Sequence, residues 1–317
     1  MPVPHIVALG GGHGLYTSLR ALRPVTDALT AIVTVADDGG SSGRLRKEFG
    51  IVPPGDLRMA LSALCEDTEW GTTWRDVLQT RFVSEGDLHG HAVGNLLIAG
   101  LWEHTGDVVG GLDWVARLLR AQGRVLPVCD EAVTISARVE DAAGVRIVTG
   151  QAAVATSHAR ILDLTLTPAT PHVPLATLDA IASADIVVLG PGSWYTSVLT
   201  HFLVPDVRAA LVAASPRAVL TLNIANADAE THGMDRADDV EALRTLAPEF
   251  RPAVVLADAT EVADGRLARA VEDWGATLVV APLRAASAID RHDEAALARE
   301  YRNVVDLMTA SGSPASR

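Results

Sequence analysis

The chain has 317 residues, about half of them hydrophobic (49%), with a formal net charge of −13. That length and apolar content support a full buried core and exclude general disorder. The acidic balance excludes a broad nucleic-acid surface, which needs a basic face to neutralise phosphates.

Taken from the N-terminus, Met1-Pro2-Val3-Pro4-His5 lacks the basic and apolar segments of a secretory signal. With two widely separated cysteines, Cys65 and Cys129, making no disulfide framework, the expected setting is the reducing cytoplasm. Apolar runs predict strands at 5–10, 29–36, 185–190, 218–224, 252–257 and 277–281. Amphipathic stretches predict helices at 15–22, 57–65, 92–102, 113–122, 175–183, 238–246, 265–272 and 293–309. Alternation of the two implies βαβ units, hence an α/β fold with a Rossmann-like, three-layer parallel sheet. Between them, 134–140, the turn Asp141-Ala142-Ala143-Gly144 and 145–149 predict a hairpin, with 159–167 as a third strand. The expected organisation is one α/β domain over 1–310 carrying a small antiparallel β insertion at about 125–168, and a disordered tail at 311–317. The uncharged run 186–205 is long enough to span a membrane, but Gly190-Pro191-Gly192-Ser193 and His201 break it, so it is read as strand, loop and helix.

Chemistry concentrates where strands end. After the first strand, Gly10-Gly11-Gly12-His13-Gly14 leads into a helix. A helix N-terminus free of side chains is an anion site, because its N–H groups and dipole face the approaching phosphate. Leu15 stands where a dinucleotide fingerprint has its third glycine, and no lysine follows the glycines. Nicotinamide dehydrogenases and P-loop ATPases both lose support. The second strand ends in Asp37-Asp38-Gly39-Gly40-Ser41-Ser42-Gly43-Arg44-Leu45-Arg46-Lys47. An acidic residue here is placed to bind ribose hydroxyls, or alternatively a hydrated Mg²⁺ bridging phosphates. The glycines admit backbone to a ligand, and Arg44, Arg46 and Lys47, the only lysine, supply local positive charge.

In Pro53-Pro54-Gly55-Asp56-Leu57-Arg58, Asp56 suits the cap of a helix beginning at Leu57, and Arg58 in the first turn is better placed for an anion than for the helix dipole. His91 and Asn95 lie four apart and on one helix face if the helix starts early enough, flanking a ligand. His89 and His91 lack a third partner at metal-binding spacing. A second glycine loop, Gly190-Pro191-Gly192-Ser193-Trp194-Tyr195-Thr196-Ser197, repeats the logic of the first. Two such loops at neighbouring strand ends would grip a diphosphate from both sides where strand order reverses. Asn223, Asn226, Glu230 and Thr231 follow a strand and are expected near the same crevice. Ser193 lacks the neighbouring glycine of a nucleophile elbow.

These motifs, with His91-Ala92-Val93-Gly94-Asn95-Leu96-Leu97 among them, appear in order from Gly10 to about His292. Together they resemble the YvcK family of gluconeogenesis factors within the CofD-like superfamily. The resemblance implies a cytoplasmic protein that binds a nucleotide sugar such as UDP-N-acetylglucosamine and takes part in cell shape and envelope growth on gluconeogenic carbon, with no established reaction. The ligand-binding set is then Gly11, Gly12, His13, Gly14, Asp37, Asp38, Gly39, Ser41, Ser42, Arg44, Asp56, Arg58, His91, Asn95, Gly190, Gly192, Ser193, Tyr195, Thr196 and Asn223. The sequence departs from the family pattern at His13, Met59 and His232, where threonine, asparagine and aspartate are usual. No cofactor is expected. Mg²⁺ enters only under the alternative, a CofD-like transferase with a nucleotide-diphosphate donor. The expected partners are the nucleotide sugar, further copies of the chain and regulatory proteins, with neither nucleic acid nor membrane insertion.

Overall fold

A computed structural model describes residues 3–225, 228–263 and 265–311. The strands are β1 (His5–Gly10), β2 (Ala28–Val33), β3 (Arg124–Pro127), β4 (Thr134–Asp141), β5 (Gly144–Thr149), β6 (Arg160–Thr167), β7 (Ile186–Leu189), β8 (Ala218–Thr221), β9 (Val254–Asp258), β10 (Thr277–Ala281), β11 (Arg284–Ala285) and β12 (Ala288–His292). The helices are α1 (Gly12–Leu22), α2 (Gly40–Phe49), α3 (Gly55–Leu64), α4 (Glu69–Gln79), α5 (Val93–Thr105), α6 (Val108–Leu119), α7 (Gln151–Ala155), α8 (Leu175–Ser183), α9 (Pro205–Ala213), α10 (Arg236–Leu246), α11 (Arg266–Trp274) and α12 (Glu294–Ser311).

Seven strands form one parallel sheet in the order β10-β9-β8-β7-β1-β2-β3. Every residue of β7, β8 and β9 is buried, so both faces of the sheet are covered, and this is why these strands read as uninterrupted apolar runs. The edge strand β10 is largely accessible at its start. From β1 the chain winds one way through β2 to β3, then returns beside β1 as β7 and winds the other way. Strand order therefore reverses between β1 and β7, where a crevice opens at the carboxyl ends of an α/β sheet.

The insertion is a three-stranded antiparallel sheet ordered β5-β4-β6, in which β4 and β6 alternate buried and accessible positions. It is narrower than the expected 125–168, because residues 124–127 belong to the main sheet as β3. Of the expected tail, Ser311 closes α12, and 312–317 lie outside the described residues, as does Asn226. Among the described residues no helix is long and apolar enough to cross a membrane. Cys65 and Cys129 are buried free thiols, both pushed up by burial, to about 11 and about 12.

Candidate functional site

The two glycine loops meet at the β1–β7 reversal. A Cβ on Gly14 would stand 2.2 Å from the Pro191 carbonyl oxygen and 2.5 Å from Gly192 Cα, so the first turn of α1 lies directly against the second loop. A Cβ on Gly11 would stand 2.5 Å from Thr34 Oγ1, 2.7 Å from Asp56 Oδ2 and 3.2 Å from Ser197 Oγ. Glycine is required at both positions by close approach. Gly12 and Gly190 add positive φ, +54° and +73°. His13 is exposed on the first turn of α1.

The stretch after Asp37 opens a helix, α2, where none was expected from the sequence. Gly39 caps α2 without a side-chain bond, and its N–H donates to Asp37 Oδ1 at 2.9 Å. A Cβ on Gly55, the first residue of α3, would stand 2.3 Å from Ser42 Oγ and 3.0 Å from Asp37 Oδ2. The N-termini of α1, α2 and α3 therefore adjoin one another, and their backbone N–H groups and dipoles add at one place.

The adjacent carboxylates face different elements. Asp37 faces this junction. Asp38 turns the other way, its Oδ1 accepting from Ala152 N–H at 2.9 Å, and fastens α7 of the insertion to the sheet. The carboxylate that joins Asp37 is Asp56. It is not the cap of α3, whose N-cap is Pro54; instead it accepts from the Gly12 backbone N–H and from Thr34. Crowding by protein pushes Asp56 up to about 7, with the charge of Asp37 acting in the same direction.

Arg58 is buried. Burial is the main cause that lowers it to about 10, Arg81 adding to the effect, and its guanidinium donates to Leu78 O and Gln79 Oε1. Its Nε has no hydrogen-bond partner among the described residues. Arg44 is exposed and donates to the carbonyls of Asp87 (3.1 Å) and His89 (2.7 Å), so it orders that loop. Asn223 is likewise engaged: Oδ1 accepts from Gly192 N–H and Nδ2 donates to Gly192 O, both at 2.9 Å. Asn223 thereby clamps the second loop. Ser193 donates to Asp228 at 3.0 Å and makes no N-cap bond; the turn it opens, Trp194–Val198, is a single wide π-type turn.

His91 and Asn95 do meet, although α5 begins at Val93, after His91. Ser41 Oγ lies 3.0 Å from His91 Nδ1, and it accepts from Asn95 Nδ2 at 3.0 Å and Ala92 N–H at 3.3 Å. With both lone pairs taken, the hydroxyl proton goes to Nδ1, so His91 is neutral with its proton on Nε2. Burial lowers its pKa in the same sense.

On the far side of the second loop, Tyr195 N–H donates to Glu230 Oε1 at 2.9 Å. Burial pushes Glu230 up to about 7 against Thr196 and the Tyr195 N–H, and pushes the Tyr195 phenol up to about 12. Thr34, Ser18, Thr221 and Tyr301 had not been singled out in the sequence. Thr34 was hidden as one polar position in an apolar run. Tyr301 joins Ser18 Oγ (2.7 Å) and Thr221 Oγ1 (3.1 Å), while Ser18 donates to the Gly190 carbonyl at 2.9 Å. Among the described residues no group of three or more His, Cys, Asp or Glu is placed to hold a metal ion.

Comparison with known proteins agrees with this fold. The family model described as 2-phospho-L-lactate transferase CofD matches residues 6–302. A putative gluconeogenesis factor of Mycobacterium leprae is 48% identical over 83% of this chain and 74% of its own length. The gluconeogenesis factor of Bacillus subtilis is 40% identical over 76% of this chain and 74% of its own. A crystal structure of a UPF0052-family protein from Bacillus halodurans superposes with a TM-score of 0.84 at 32% identity, covering 98% of this chain and 99% of that one. The reversal crevice, its paired glycine loops and these likenesses together place the chain in the CofD family, among relatives named gluconeogenesis factors.

Proposed function

We propose that this chain binds a nucleotide-diphosphate sugar, of the UDP-N-acetylglucosamine type, and acts as a regulator of envelope metabolism and cell shape during growth on gluconeogenic carbon. The observation that carries the reading is the meeting of Gly11, Gly14 and Gly192. Their close packing brings three helix N-termini together on the strand-order reversal, where unpaired backbone N–H groups favour a phosphate. The relatives' name supports the metabolic setting. Asp56 governs how the diphosphate is held. As a neutral acid it donates to phosphate oxygen; as a carboxylate beside Asp37 it repels it.

That last point favours one second reading, the transferase. A carboxylate pair, Asp37 with Asp56 in place of Asp37 with Asp38, fits Mg²⁺, which is commonly held by one or two carboxylates, water and substrate phosphates. When bound, the ion would neutralise charge developing on a leaving diphosphate. Calorimetry with UDP-N-acetylglucosamine, GDP and NAD, in Mg²⁺ and in chelator, tests both readings. The binding regulator predicts a preference for the UDP-sugar and a chelator effect below about tenfold, or about 1.4 kcal/mol. Loss of binding in chelator, or slow donor turnover with Mg²⁺, favours the transferase.

A further inference from the structure

A cleft of about 780 Å³ lies beside the second glycine loop, between β6 of the insertion and α10. His158 and Arg160 line one wall, His232 and Thr245 the other, and Tyr195 and Glu230 lie between them. The volume falls in the range of small-molecule sites, roughly 300–1,000 Å³, and exceeds what a phosphate needs. Glu230 is only 3% exposed. Its Oε1 is taken by the Tyr195 N–H, whereas Oε2 and the hydroxyl of Thr196, which lies beside this carboxyl, each lack a hydrogen-bond partner among the described residues. A buried carboxyl oxygen left without a donor is costly, so its surroundings call for one. The chain links the two places directly. The turn Trp194–Val198 follows Gly192 and Ser193 without interruption, so Tyr195 is three residues from the glycine at the crevice and itself lines the cleft.

Resting on the nucleotide-sugar reading above, we propose that this cleft seats the sugar, with Glu230 accepting from its hydroxyl or amide N–H groups. A pyranose carries several donors on one ring and an apolar C–H face. The cleft answers with a buried acceptor, with donors on Arg160 and the two histidines, whose rings stand edge to face at 5.4 Å, and with the Tyr195 ring as an apolar surface. The insertion, otherwise unexplained by a phosphate site, supplies one wall.

The test is calorimetry of the full chain with UDP and with UDP-N-acetylglucosamine, reading the ratio of the two dissociation constants. Glu230→Gln places an amide N–H where an acceptor is needed. Thr245→Trp, at an exposed position, fills the cleft from α10 without touching the core. Each substitution is expected to weaken UDP-N-acetylglucosamine at least about tenfold relative to UDP. Thr245→Trp should leave UDP affinity and the melting temperature as in wild type, which guards against a folding defect in Glu230→Gln. An unchanged ratio in both variants, or an equal loss of both ligands in Thr245→Trp, overturns the sugar seat while leaving the UDP site standing. Wild type that binds neither compound overturns the nucleotide-sugar reading itself.

Discussion

Asp56 is the residue whose titration should be visible in the whole protein. Its folded pKa, about 7, lies above the ordinary carboxylate value of 3.8, so between those limits the folded state binds more protons than the unfolded one. Stability contributed by this group is therefore present below about pH 4 and declines as pH rises to about 7. Asp56→Asn keeps an acceptor for the Gly12 N–H and removes the titration. It should raise stability at pH 8 by on the order of 1–4 kcal/mol and add nothing at pH 4, measured as denaturant unfolding at both pH values. Equal gains at both would mean that Asp56 is already ionised in the fold. Gly14→Ala tests the loop contact. The new methyl meets backbone on Pro191 and Gly192, which cannot swing away as a side chain would, so nucleotide-sugar binding should fall below detection in calorimetry together with a lowered melting temperature. Asn223→Ala removes both bonds to Gly192 and should destabilise by about 1–3 kcal/mol in denaturant melts. That the two glycine loops adjoin was legible from sequence, whereas the side-chain pairings were not. Asp56 and Gly12 are distant in the chain, as are Asn223 and Gly192, and no local pattern marks which side chain will meet which backbone.

Elements were legible where burial alone decides them. β1, β10 and α8 lie where apolar periodicity put them, 5–10, 277–281 and 175–183. α2 was missed because Gly40-Ser41-Ser42-Gly43 is among the poorest of helix starts. There the packing of α2 against the α3 N-terminus overrides propensity, with Ser41 and Ser42 buried. The helix expected at the end of the uncharged run is a π-type turn followed by a 3-10 turn, α9 starting only at Pro205 where that run ends, and β3 is too short, at four residues, to show a period. The three-stranded insertion was readable from its turn and its alternation, but not its attachment, which hangs on Asp38. Asp38→Ala should free α7 and loosen the insertion, seen as faster hydrogen exchange over 150–156 with protection in β1 and β7 unchanged. Uniform loss of protection would instead make Asp38 part of the global core.

On the scale of the molecule, α12 is tied to the second glycine loop through Tyr301, Ser18 and Gly190, so the last helix and the first share one buried hydroxyl cluster. Tyr301→Phe should cost about 1 kcal/mol in denaturant unfolding and leave the secondary structure intact by circular dichroism. The order of strands has a further consequence, one that concerns time on the ribosome. β2 follows β1 closely in the chain, but on its other side Ile6 pairs with Ile186, which is made much later. At about 5–20 residues per second, that edge of the growing sheet waits roughly 10–40 s for its neighbour. Through that interval an apolar strand presents unsatisfied N–H and C=O groups to whatever chain is nearest. The nascent protein should therefore be a chaperone client until β7 emerges. Stalled chains ending before residue 186 should crosslink to holdases, and chains extended beyond α9 should release them.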